Sequence, residues 1–201
     1  MKQAGSIAKL FSTLAILIWC DISLAQYHDP RALEANPITS RAPLAPRLEG
    51  LGSASMKIST TSKDSQFFFD QGLRLTYAFN HSEALRAFKE SARRDPNNAM
   101  AWWGQALVLG PNINLPMMPY VNEQAYQAIQ RALTRETSIT ELEAALIDAL
   151  AARYSNDPEA DRAELDRIYA GEMRKVLTRY GDDPNVATLY ASAVMNLSPW
   201  D

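Results

Sequence analysis

From residue 64 onward, apolar residues recur every three or four positions, the spacing of one helix face, and polar or proline-containing breaks divide them into successive segments. Phe68, Gly72, Leu75 and Phe79 share one side of a first helix. Asn80 and His81 form the turn after it, and Ser82 is placed to cap the exposed amides of a second helix, in which Ala84, Phe88 and Ala92 recur every four residues. Asp95-Pro96 stops that helix, because the residue before a proline is pushed out of the α region.

A third stripe contains Ala99, Trp102, Trp103, Ala106 and Leu107, and it ends in a loop over 110–119 that glycine and prolines keep from being helical. A helix over about 121–135 should turn Ala125, Ala128, Ile129, Ala132 and Leu133 inward. Another over about 140–154 should bury Leu142, Ala145, Leu146, Ala149 and Leu150. After Asp157-Pro158 a long helix carries Leu165, Ile168, Tyr169, Met173, Val176 and Leu177. A last one over 184–197 carries Ala187, Tyr190, Ala191, Val194 and Leu197. No stretch alternates β-branched residues with a period of two. The pattern therefore predicts an all-α chain of antiparallel helical hairpins joined by short turns.

The first 63 residues differ in kind. Lys2 and Lys9 flank an apolar run over 10–19, and Ser23-Leu24-Ala25 supplies small residues, the three parts of a secretory signal peptide over 1–25. The run is shorter than the roughly 18–20 residues that span a bilayer, so no stable membrane span is expected after cleavage. Trp19 is too bulky to precede an acylated Cys20. Cleavage after Ala25 would leave a mature chain without cysteine, which removes disulfides, thiol catalysis and cysteine metal sites together. Residues 26–63 contain Pro30, Pro37, Pro43 and Pro46 and close on serines and threonines. That composition predicts a largely disordered linker.

With 47% hydrophobic residues in 201, the chain can bury one compact core or a short repeat array. The net charge of −3 and a pI near 5.5 argue against nucleic acid as a partner. Two histidines, His28 and His81, are too few for a histidine-rich metal site. No phosphate-binding glycine loop or nucleophile elbow is present. Acidic pairs such as Glu141/Glu143 and Asp161/Glu164 suit solvated helix faces. No cofactor, metal or catalytic residue is expected, and the chain does not read as an enzyme.

Phe68, Gly72, Leu75, Ala84, Phe88 and Pro96 occupy the aromatic, small and closing-proline positions of a tetratricopeptide (TPR) motif, so residues 65–98 resemble one TPR unit. Trp102 and Ala106 fall one repeat length of about 34 residues later, and the 110–119 loop then breaks the register. Phe68-Phe69-Asp70-Gln71-Gly72-Leu73, Tyr77-Ala78-Phe79-Asn80-His81 and Leu109-Gly110-Pro111-Asn112-Ile113-Asn114 also resemble the N-terminal part of bacterial exported TPR-containing proteins. The resemblance implies a TPR-like solenoid over 64–201 in the periplasm or outside the cell. The last helix has an apolar face and no following partner, which suggests an array continuing beyond residue 201, or self-association through that helix.

A TPR superhelix would turn Phe69, Leu73, Tyr77, Trp103 and Leu107 toward its inner groove. This departs from TPR domains that grip a peptide carboxylate with lysines and asparagines, and it suits an apolar or helical peptide. The loop residues Asn112 and Asn114 are a second candidate, as hydrogen-bonding groups beside Met117 and Met118, or as satisfiers of a buried connection. The function these readings support is an exported scaffold for protein–protein contact. The alternative is the helical region of a larger envelope enzyme or ligand-binding protein with its site elsewhere.

Overall fold

The computed structural model describes residues 29–134, 138–157 and 159–198. The expected signal segment 1–25, with Cys20, lies outside them, as do His28 and Pro158. The described residues are all-helical: α1 (Pro30–Glu34), α2 (Lys63–Tyr77), α3 (His81–Arg94), α4 (Ala99–Leu109), a 3-10 turn (Pro119–Val121), α5 (Asn122–Thr134), α6 (Glu141–Ala151), α7 (Arg162–Tyr180) and α8 (Pro184–Met195). One isolated bridge pairs Asn112 with Leu115.

Short polar side chains set several of the starts. Ser62 accepts from the Ser65 amide, Asn98 from Met100, and Asp161 from Ala163. Thr140 and Glu143 form a reciprocal capping box at α6. At α3 the cap is Asn80, which accepts from the Glu83 amide, and not Ser82 as the sequence suggested. Ser82 Oγ instead accepts from the Asp29 amide, 3.1 Å away.

From α2 to α8 each helix packs on the next in the chain, and α2 also meets α4 while α4 meets α6. The centre is α4, in which every residue but Trp102 is buried. Phe88 of α3 is seated between two glycines. A Cβ on Gly72 would lie 2.7 Å from its ring, and one on Gly104 would lie 2.4 Å from it. Gly72 is thus a point of close approach between α2 and α3, and Gly104 of α4 supplies a second one.

Residues 29–62 correct the expectation of a disordered linker. They lie as an irregular strap whose Ala32, Ala45, Met56 and Ile58 are buried. Helix side chains satisfy its backbone. Gln71 bridges the Leu48 amide and the Pro46 carbonyl, Gln66 bridges the Ile58 amide and the Met56 carbonyl, and Glu90 accepts from the Leu44 amide. Farther along the fold, Glu143 takes both the amide and the hydroxyl of Ser59, and Asn185 donates to the Ser55 carbonyl. The prolines exclude regular structure, but these long-range bonds replace the ladder it would have supplied.

Lys89, only 1% exposed, holds the strap's first turn by donating to the carbonyls of Ala32 and Leu33 at 2.7 and 2.8 Å. Burial pushes its pKa from the ordinary 10.5 down to about 8. Between those values the unfolded chain binds more protons than the folded one, so this group's contribution to stability rises with pH. The shift corresponds to about 3 kcal/mol in total. Relative to a Lys89→Met variant, the protein should gain about 2 kcal/mol between about pH 7.5 and about pH 10 in urea titrations. Parallel pH profiles would show that the ammonium is not desolvated.

Two faces differ from the apolar pattern. On α7, Ile168 is 41% exposed, and Asp166 is buried in contact with Arg153. On α8 the buried residues are Asn185, Val186, Leu189 and Ala193, whereas Ala187, Ala191 and Val194 are exposed. The helix is rotated by about one residue, roughly 100°, from the expected register. Its Ala191, Ser192 and Met195 consequently face a cleft.

Candidate functional site

Three of the expected groove residues are core residues. Phe69 and Leu73 are fully buried and Trp103 is 1% exposed. Phe69 lies 5.5 Å from the Phe88 ring and 6.4 Å from that of Trp103, centroid to centroid. Trp103 Nε1 donates to the Leu146 carbonyl at 3.1 Å, tying α4 to α6. These side chains offer no surface to a partner, because the second layer of helices closes over them.

The other two groove residues, Tyr77 and Leu107, do line a cleft, and Asn112 joins them there. Its volume is about 200 Å³. The walls come from the end of α2, the turn into α3, Leu107 of α4, the loop residues 111–113, Arg153 just after α6, the middle of α7 and one face of α8. The Tyr77 hydroxyl donates to Asn185 Oδ1 at 3.0 Å, which fixes the α8 wall against α2. Burial, chiefly, raises the Tyr77 pKa well above its usual value.

Asn112 shapes the loop. Its backbone exchanges hydrogen bonds with Leu115 at 3.0 and 3.1 Å, and its Oδ1 accepts from the Asn114 amide at 2.9 Å. Its Nδ2 lies 3.2 Å from His81 Nδ1, which pins the loop to the first turn of α3. Asn114 does not reach the cleft. It lines an adjoining cavity of about 850 Å³ that shares Pro111, Asn112 and Ile113 with the cleft and contains Arg162, Asp166 and Arg167. Asn112 therefore both braces the loop and lines the cleft.

Sequence reasoning missed the cleft's most polar group. Arg153 is 2% exposed, donates from Nε to Asp166 at 2.8 Å and from Nη2 to the Pro111 carbonyl at 3.0 Å, and sits 4.8 Å from the Tyr169 ring centroid. Arg162 also reaches Asp166, so two guanidinium groups share one carboxylate. Tyr154 seals the region from beneath, its hydroxyl donating to the Ala106 carbonyl and its pKa pushed up to about 12 by burial. Nothing in the local pattern of residues 151–155 marks Arg153, because its partners come from a loop and from α7.

The mouth of the cleft carries a strained aromatic residue. Phe79 has φ of 58°, in the left-handed region that a bulky residue rarely adopts, and it is 53% exposed beside the His81 ring. Met195, at 46%, lies in the same lining, and Leu197, at 40%, faces the adjoining cavity. Phe79 and Met195 are exposed apolar residues in one lining, which marks a contact site better than the same residues scattered. Among the described residues, no three His, Cys, Asp or Glu groups lie close enough to hold a metal, and no helix is long and apolar enough to cross a membrane. An apolar lining with a guanidinium floor and no carboxylate is suited to binding. The chain was compared with family models, with curated proteins and with solved structures, and none matches.

Proposed function

We propose that the protein is an exported TPR-type helical-repeat scaffold that docks an amphipathic helical segment of another protein across the mouth of the cleft. The observation that carries this reading is the rim of Phe79 and Met195, where a strained aromatic is held out toward solvent. Helices that pack on their immediate and alternate neighbours support the repeat reading. Apolar anchors on the partner would seat on the rim. Acidic residues beside them would complement Arg162, which shares its one carboxylate, Asp166, with Arg153, whereas Arg167 is paired with Glu164. Phe69 and Trp103 keep their place in the core and leave the binding set.

A displayed library of random peptides about 16 residues long, roughly four helical turns, tests this. Peptides retained by the wild type should show apolar residues at helical spacing with acidic neighbours. Their affinity should fall about tenfold on Phe79→Asn, the loss of an aromatic anchor. Asparagine tolerates the left-handed region, where a bulky residue costs about 1–2 kcal/mol, so this variant should unfold at the same or a higher urea concentration. Peptides indifferent to both Phe79→Asn and Met195→Asp would remove the rim as the contact surface. Export is tested separately by N-terminal sequencing of the mature protein, which should begin at Gln26; an intact Met1 would refute it.

A further inference from the structure

We infer that the inner cleft is a binding site for a small apolar monocarboxylate, held by the free edge of Arg153 and the hydroxyl of Tyr169. This goes beyond the scaffold reading and needs no protein partner.

Two donors carried by largely buried residues open onto the cleft and lie unused in the same lining. Arg153 engages Nε and Nη2, and its Nη1 has no hydrogen-bond partner among the described residues. Tyr169 is 3% exposed, and its hydroxyl likewise has none. The guanidinium lies close over the Tyr169 ring, so the two polar groups sit in one part of the cleft.

The charge balance points the same way. Asp166 is shared by Arg153 and Arg162, which leaves one positive charge uncompensated at the cleft floor. No carboxylate lines the cleft, and Leu107, Ile113, Leu189 and Met195 make much of its wall apolar. A carboxylate is an acceptor-only monoanion. It would satisfy both donors, neutralise the one spare charge and place a hydrocarbon body against those walls. A phosphate dianion would bring a second charge that among the lining residues only the His81 imidazole could pair, and its Nδ1 already faces Asn112 Nδ2 at 3.2 Å; burial of an unpaired charge is strongly unfavourable. At about 200 Å³ the cleft lies below the roughly 300–1,000 Å³ of pockets that take drug-sized ligands. The body is therefore a short chain or a small ring.

Calorimetric titration of the purified protein with hexanoate tests the site, with 1-hexanol as the neutral control. Hexanoate should saturate one site, and hexanol should bind at least about tenfold more weakly, as expected when a hydrogen-bonded charge is lost. Tyr169→Phe, which removes only the hydroxyl, should weaken hexanoate by about tenfold. Ser192→Phe, at an exposed position of α8 that lines the cleft, should abolish binding while helix content and the urea midpoint stay unchanged. Equal binding of hexanol, indifference to Ser192→Phe, or absence of saturation would each overturn the assignment. So would tighter binding of acetyl-Ala-Leu-Leu with a free C-terminus, since that would give the cleft to the end of a polypeptide.

Discussion

Replacing Trp103 by alanine is expected to lower the unfolding free energy by about 3–5 kcal/mol, the range for deleting a buried large aromatic side chain. The indole is 1% exposed, faces Phe69 and donates its N–H to the Leu146 carbonyl. Its loss leaves a cavity between α4 and α6 that close-packed neighbours can fill only in part. Urea unfolding at constant pH reads the effect directly. Tyr77→Phe provides the contrast, because it removes only a hydroxyl bonded to Asn185 and should cost about 1 kcal/mol. Equal midpoints for Trp103→Ala and the wild type would contradict the burial of the indole.

Glu143→Ala should cost about 3 kcal/mol and loosen the strap at the same time. One buried carboxylate, 2% exposed, closes the capping box of α6 and accepts from the amide and hydroxyl of Ser59. Loss of the cap contributes about 1 kcal/mol, and the bonds to Ser59, strengthened by the charge, contribute the remainder. Limited proteolysis should then reveal new cleavage near residues 50–60 before global unfolding. A loss below about 1 kcal/mol without new cleavage would show that Ser59 is held by other means.

The helices were legible in the sequence because their signals are local. Periodic apolar residues, Asn98, Thr140 and the aspartates before prolines each act within one turn, and the observed boundaries follow them closely. The strap was not legible. Its order depends on Gln66, Gln71, Glu90 and Glu143, polar residues whose spacing on helices is the same whether they face water or another segment's backbone. The Glu141/Glu143 pair shows the difficulty, since both looked solvated and only Glu141 is exposed. The α8 register failed for another reason. Residues 186, 187, 189–191 and 193–195 are all apolar or aromatic, so no single face was distinguished by composition. Of the candidate site, Tyr77 and Leu107 were found through the resemblance and Asn112 through the composition of its loop, while Arg153 and Tyr169 meet only through tertiary packing.

The strap also changes how the molecule should assemble. A stack of helical pairs in which each unit touches only its neighbours can form and fray piecewise from either end. Here the strap is fastened to helices far along the chain. Ser55 bonds to Asn185 across 130 positions, Leu33 to Gln124 across 91, and Ser59 to Glu143 across 84. These closures can form only after α8, α5 and α6 have emerged and docked, so the N-terminal strap is the last part to settle. Long-range contacts of this kind slow the search for the native state, and they favour melting of the strap and helices as one cooperative body over fraying helix by helix.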